Sequence, residues 1–350
     1  MIPFPASLPS PAEPDPASAP PLRWGILGPG VIAADFTAAL LKHTQQRVVA
    51  VASRSVDRAQ AFARRFGTPR AYGSYEQLLA DPEIDAIYIA TPMSEHFAQA
   101  MLCIEAGKHV LVEKSFMRTA AEAVAVQERA AGSGVFVMEA MKTRYVPQMQ
   151  IIETLLADGV LGTVDSVSAG FGSFIPFRAD NRLFDPALGG GVLLDIGVYP
   201  ISFAYAVLGP FASVQTAGTL AESGVDDSVS AVLTTDSGGR ALVNASWRGL
   251  APVQAAINGS LARVEVGEPF HNAAPLVLVS ADGRRLCFDD QRIQGREGLC
   301  FQAAAMARYI RAGLVESPVH SLTDSVAVMT LLDEMRHQVG ARFGDELPHT

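Results

Sequence analysis

Trp24-Gly25-Ile26-Leu27-Gly28-Pro29-Gly30-Val31-Ile32-Ala33 decides the fold. An apolar strand, Leu22–Leu27, runs into a glycine turn, and a helical pattern follows to about Leu41. Gly28 permits the tight turn. Gly30 lets the backbone approach a pyrophosphate, and Ala33 stands where a third glycine would allow close helix packing. Val31 and Ile32 open the helix, whose first amides and dipole favour an anion. A glycine pattern alone is weak; the strand before it and the helix after it give it meaning.

Working outward, the first half alternates. Strands are expected at Val48–Ala52, Ala86–Ala90, His109–Val112 and Val135–Met138. Helices are expected at Val56–Phe66, Ser94–Ala106 (ending at Gly107), and after the capping pairs Ser74/Gln77 and Thr119/Glu122. Continuous apolar strands between helices predict a parallel sheet covered on both faces, a doubly wound Rossmann domain over 22–143. The second half changes character. After a helix at Pro147–Asp158, strand-like runs fall at Val164–Gly172, Ser228–Thr235, Arg240–Trp247, Ala255–Gly259, Arg263–Val266, Leu276–Ser280 and Leu286–Phe288. Hairpin signals such as Asp282-Gly283 predict an open, mainly antiparallel sheet in an α+β domain over 144–350. It ends in helices at Cys300–Ala312 and Asp324–Gln338.

Composition narrows the function. The 350 residues carry 27 Lys and Arg against 36 Asp and Glu, a net charge of −9, which disfavours a nucleic-acid binder. The cysteines Cys103, Cys287 and Cys300 are odd in number and form no CxxC, so neither a disulfide framework nor a metal site is expected, and a reducing cytoplasm fits. Residues 1–21, rich in Pro and Ala, lack the basic start and apolar stretch of a secretory signal and read as a disordered or extended arm. The apolar run Gly189–Phe211 contains Asp195, Pro200 and Pro210, a poor fit to a lipid-exposed span and a better fit to a site; no membrane partner is expected.

The end of the second strand chooses the cofactor. An acidic residue there would bind the ribose hydroxyls of NAD. The chain instead reads Ala52-Ser53-Arg54-Ser55, with Arg58 one turn on, and a hydroxyl with guanidinium forks suits the 2′-phosphate of NADP. Thr91, Pro92 and His96 follow the next central strand, and Glu113-Lys114 closes the one after it, where loops border the ligand crevice. A lysine there can polarise or deprotonate a hydroxyl beside a nicotinamide.

Together with Met138-Glu139-Ala140-Met141, Thr143-Arg144-Tyr145, Arg182-Leu183-Phe184-Asp185-Pro186-Ala187-Leu188-Gly189-Gly190-Gly191 and Leu194-Asp195-Ile196-Gly197-Val198-Tyr199-Pro200, these motifs resemble the family that includes glucose-fructose oxidoreductase and inositol dehydrogenase. The similarity spans nearly the whole chain beyond the arm and is greatest to the branch of trans-dihydrodiol and NADP-dependent D-xylose dehydrogenases. The resemblance implies reversible hydride transfer between NADP and a sugar, polyol or diol, in a homodimer. Lys114, Asp195 and Tyr199 would be catalytic. Tyr199 takes the hydroxyl proton with its phenol lowered by nearby positive charge, Lys114 being the obvious source, and Asp195 orients the pair or the substrate. Lys142, Arg144, Tyr145, Phe177, Arg178 and Arg182 are the substrate-side candidates. Arg178 and Arg182 could equally hold cofactor phosphates or a surface loop.

Three residues depart from the family pattern. Ser115 replaces the Pro of Glu-Lys-Pro, which leaves both cis and trans open for the preceding bond. Lys142 replaces a Trp, turning an aromatic wall into a cation if that position lines the pocket, and Met93 replaces an Asn. Two other classes in the family stay in view: glycosidases that oxidise and re-reduce a sugar on a retained nicotinamide, and cofactor-binding regulators without catalysis.

Overall fold

The structure, a computed structural model, describes residues 4–12 and 15–343, and all that follows concerns those residues. They form two compact units.

The first unit comprises residues 15–145 and 295–326. Its elements run β1 (Arg23–Leu27), α1 (Val31–His43), β2 (Arg47–Ala52), α2 (Val56–Phe66), β3 (Arg70–Tyr72), α3 (Tyr75–Leu79), β4 (Ala86–Ile89), α4 (His96–Glu105), β5 (His109–Val112), α5 (Ala120–Ala130) and β6 (Val137–Glu139). The sheet order is β3-β2-β1-β4-β5-β6, with every pair parallel. The order reverses between β1 and β4, so the crevice beyond their carboxyl ends is where a doubly wound sheet binds its ligand. All four residues of β4 are buried, as a strand covered on both faces requires. Beneath α1, Phe36 stacks on Tyr88 of β4 with ring centroids 3.9 Å apart and meets Trp24 of β1 edge-on at 5.4 Å.

Both capping pairs are present in part. Ser74 accepts from the Gln77 amide, and Thr119 accepts from the Glu122 amide. The return arm of the second departs from expectation: the Glu122 carboxylate takes the Arg118 amide, one residue before the cap.

The second unit comprises 4–12, 146–294 and 327–343. It contains α6 (Pro147–Ala157), β7 (Val164–Gly172), α7 (Val198–Leu208), β8 (Ser213–Leu220), β9 (Asp226–Thr234), β10 (Arg240–Ser246), β11 (Ala255–Gly259), β12 (Ala262–Val266), β13 (Leu276–Ser280) and β14 (Arg285–Phe288). The eight-stranded sheet runs β14-β13-β12-β11-β7-β10-β9-β8, antiparallel except where β7 and β10 pair in parallel. One face is packed under α7. The other is open, so β10 alternates exposed and buried residues. Pro186–Leu208 is long and apolar enough to cross a membrane; 67% of its most apolar stretch is buried, as in a core helix.

Two expectations about domain extent change. Residues 144–350 are not one contiguous domain, because α8 (Leu299–Arg311) packs on α1 in the first unit. The helix is tied there by polar anchors as well. Lys42 and His43 bind Glu297, with His43 Nε2 2.8 Å from the carboxylate, and Arg296 pairs with Asp35. Glu139, at the end of β6, accepts from Ser325 Oγ at 2.8 Å and lies 2.9 Å from His320 Nε2, with all three residues buried. Two of these buried groups meet on Glu139 Oε2, while its Oε1 is buried without a hydrogen-bond partner among the described residues. The last helix, α9, spans Leu322–Val339.

The arm, too, is ordered where described. Asp15 caps a short turn at Pro16–Ser18, Ala19 is buried against Ala304 and Ala307, and Arg308 donates to the Asp15 carbonyl at 2.8 Å. Residues 1–3 and 13–14 of that expectation lie outside the described residues.

Candidate active site

The first unit offers a dinucleotide cradle. Gly28 has φ +85°, and a Cβ there would stand 2.7 Å from Thr91 Cγ2. Only glycine fits both the torsion and the space. Gly30 is extended and caps α1 without a side chain, and a Cβ built on it would meet nothing nearer than the Ala90 carbonyl oxygen at 3.9 Å. The first-turn amides of α1 therefore have no side-chain cap, and the backbone before them has an open approach, which is what a pyrophosphate needs. Val31 is exposed on that first turn and Ile32 is half-buried.

At the end of β2, Arg54 and Arg58 are exposed on the surface where a ribose phosphate would sit. Ser53 is buried and its hydroxyl accepts the Ser55 amide at 3.2 Å, so it shapes the turn. Tyr75, missed in the sequence, lies within electrostatic reach of Arg54 and Arg58. Burial pushes its phenol up, and the two arginines oppose that shift. Thr91 is half-buried, with its hydroxyl donating to Gln99 at 2.8 Å, and Pro92 is exposed. His96 is fully buried. Its Nε2 lies 3.2 Å from the Thr91 carbonyl, and its Nδ1 lies 3.2 Å from the carbonyls of both Ser115 and Phe116. It clips the loop after β4 to the loop after β5, and burial holds its pKa low. That is a scaffold role for a residue expected to touch cofactor.

The loop after β5 carries the acid–amine group. The Lys114–Ser115 bond is cis. Glu113 is buried, accepting from the Tyr88 hydroxyl and, at 3.2 Å, from the Lys114 amide. Burial pushes its carboxyl up, and Tyr88, Lys114 and Lys142 act against that. Lys114 is half-buried. Lys142 follows β6, which pairs with β5, and is only 7% exposed. Burial lowers its amine to about 8, Arg296 and Lys114 push the same way, and Glu113 opposes them. The amine is thus buried within electrostatic reach of Glu113 and Lys114.

Arg144 and Tyr145, two and three residues on, point into the first unit. Arg144 is buried, donating to the Val319 carbonyl at 2.6 Å and facing His320 Nδ1 at 3.4 Å. Tyr145 is buried with its hydroxyl donating to Ser317 at 2.8 Å, and burial pushes its phenol far up. Both are buried, with those polar groups committed within the first unit. Both fasten the turn after β6 to the returning segment.

In the second unit the segment after Gly189-Gly190-Gly191 is helical throughout. It opens as a π-helical stretch, Leu193–Gly197, and continues as α7. Such wide turns inside helices recur at functional sites. Asp195 and Tyr199 stand four residues apart, hence on one face. Between Gly191 and Pro200 they are the two residues not buried. Apolar flanks bury the neighbours from Val192 to Ala204 and leave a carboxylate and a phenol partly accessible. Tyr199 packs over Phe171 of β7 with centroids 6.0 Å apart. Phe177 is half-buried and meets Phe184 edge-on at 5.1 Å. Arg178 is exposed and forks onto Asp180, at 2.9 Å from NH2, the surface-loop alternative raised for it. Arg182 is exposed on a short turn, Arg182–Phe184.

Among the described residues no three His, Cys, Asp or Glu lie together as a metal would require. The cradle in the first unit is that of a Rossmann domain that binds a dinucleotide. Comparison with known proteins gives the family. Residues 22–141 match the oxidoreductase family with an NAD-binding Rossmann fold, and residues 149–265 match the GFO/IDH/MocA C-terminal domain. Trans-1,2-dihydrobenzene-1,2-diol dehydrogenase of Sus scrofa is 34% identical over 335 residues, 92% of this chain and 98% of its own; that of Homo sapiens is 35% identical over 334. KijD10, a 3-ketoreductase from Actinomadura kijaniata solved with NADP and TDP-benzene, is 28% identical with a TM-score of 0.77, covering 93% of this chain and 99% of its own. Levoglucosan dehydrogenase shares the fold at 20% identity, with a TM-score of 0.81 over 91% of this chain and 97% of its own. The chain belongs to the GFO/IDH/MocA family of oxidoreductases.

Proposed function

We propose that this protein is an NADP-dependent dehydrogenase or reductase acting on the secondary hydroxyl or carbonyl of a sugar, polyol or dihydrodiol. The observation that carries the reading is that Asp195 and Tyr199, four residues apart, are the two half-buried residues in the otherwise buried stretch 191–204. The cradle fits a dinucleotide, and the exposed Arg54 and Arg58 suit a 2′-phosphate. A bound nicotinamide supplies the hydride acceptor in oxidation. Tyr199 then takes the hydroxyl proton as the carbinol carbon loses hydride, and Asp195 orients the substrate; Lys114, just beyond β5, can polarise a hydroxyl beside the nicotinamide. Reduction reverses each transfer. Positioning and proton transfer are the chain's contribution, the redox chemistry belonging to the nicotinamide.

The protein acts in the cytoplasm as a homodimer through the open face of the eight-stranded sheet. On that face Val232, Leu242, Ser168 and Ala256 stand opposite one another in register, with Leu242 52% and Val232 40% exposed. Apolar residues in such a row are suited to burial against a second copy. The test is nicotinamide reduction with NADP and NAD offered separately against aldopentoses, aldohexoses, polyols and trans-dihydrodiols. Turnover with NADP supports the reading; tight NADP binding without turnover of any of them overturns it. Light scattering that finds a monomer at micromolar protein removes the dimer.

A further inference from the structure

His271 contacts the ring of Tyr199 from a loop between β12 and β13. The imidazole centroid lies 4.8 Å from that of Tyr199 and 4.6 Å from that of Phe171, with planes 34° and 24° apart. The three rings form a triangle at aromatic contact distance. The loop that presents His271 is fastened on both sides. Phe270 donates its amide to the Val253 carbonyl at 2.9 Å, and its buried ring meets Phe203 edge-on at 5.6 Å. Asn272 donates its amide to the Pro269 carbonyl at 3.0 Å, while its own carbonyl accepts from Gln148 Nε2. Phe203 is one helical turn beyond Tyr199, so Phe270 and His271 together grip one stripe of α7.

We propose that His271 is a positioning residue for Tyr199, fixing with Phe171 the tilt of the phenol so that its hydroxyl meets the substrate hydroxyl. This rests on Tyr199 being the proton-transfer residue. A phenol on a rigid helix still turns about its side-chain torsions, and two rings stacked on one another and both in contact with it wall off one side of that freedom. Phe171 supplies one ring from the sheet, and His271 supplies the other from outside the helix.

The experiment compares His271→Ala and His271→Phe, each alone and with Tyr199→Phe, in turnover of NADP with D-xylose. Misplacing a reacting group by about 1 Å costs roughly 10²-fold. We expect His271→Ala to lower kcat/KM by about 10- to 100-fold with NADP affinity unchanged, and His271→Phe, which keeps the ring, to stay within roughly threefold. In the Tyr199→Phe background His271→Ala should add almost nothing, since residues acting through one another are non-additive. An equal loss in both backgrounds overturns the proposal. A second readout needs no substrate: in protein labelled with fluorotyrosine, the resonance that Tyr199→Phe removes should shift in His271→Ala and hold in His271→Phe. An unmoved resonance overturns the proposal by itself. If Tyr199→Phe turns over like the unsubstituted protein, the proton role of Tyr199 fails, and the resonance still decides whether His271 holds the ring.

Discussion

The Asp226 carboxylate of β9 accepts the Leu193 amide at 2.7 Å, at the head of the helical segment that carries Asp195 and Tyr199. Gly191 lies beside it at φ +130°, where a Cβ would stand 2.5 Å from Asp226 Oδ1, so the chain passes the carboxylate without a side chain. Burial raises Asp226 to about 6, against the pull of the Leu193 amide and its own. The folded value exceeds the unfolded one of about 4, so the group's stabilising contribution is full below about pH 4 and is lost as pH rises through about 6. Asp226→Asn keeps an acceptor and sheds the buried charge. We expect its melting temperature to exceed that of the parent by more at pH 8 than at pH 4.5. Thermal unfolding at both pH values checks this; a pH-independent difference refutes it. Asp226→Ala, which leaves the amide unpaired, should cost about 1–3 kcal/mol.

Lys142 carries the opposite sign. Its folded value of about 8 lies below the usual lysine value, so the fold disfavours the charged amine. The penalty is present below pH 8 and is relieved as pH rises toward 10. Lys142→Met should therefore stabilise the protein at pH 7 and lose that advantage by pH 10, read by chemical denaturation across the range.

The same position bears on substrate choice. Lys142→Trp replaces the buried cation with an aromatic ring. The ratio of kcat/KM for a trans-dihydrodiol to that for D-xylose should rise at least about tenfold, the worth of one good apolar contact. An unchanged ratio would mean that position 142 does not face substrate.

Arg54 and Arg58 should discriminate the cofactors. Charge-assisted forks to phosphate are worth about 1.5–3 kcal/mol each. Arg54→Ala should weaken NADP binding about 10- to 100-fold and leave NAD binding within roughly twofold, by fluorescence titration. Equal losses for both cofactors would assign the arginine to general shape.

The parallel sheet was legible because β1, β4 and β5 are short, nearly continuous apolar runs after recognisable turns, which a buried strand demands. β3 escaped because three residues carry no period. β8 escaped because it is an edge strand largely open on both faces, so it has no alternation to read. The return of α8 to the first unit is invisible in sequence: an amphipathic helix declares that it packs, and not on what. The acid–amine motif of Glu113 and Lys114 was readable as a motif. The inward course of Arg144 and Tyr145 was not, since adjacency along the chain carries no direction. The wide turn at Leu193–Gly197 and the ring of His271 depend on tertiary contacts alone.

The most direct test of hydride transfer uses D-xylose bearing deuterium on the carbinol carbon, with NADP and the purified protein. We expect one deuterated NADPH for each oxidised sugar, a rate slowed by the label where transfer limits, and loss of at least about a thousandfold in Lys114→Ala and Tyr199→Phe, as removal of an acid–base group and its partner implies. Sugar consumed with no net NADPH, and the label returned to product carbon, would contradict a dehydrogenase and indicate a retained nicotinamide serving another reaction.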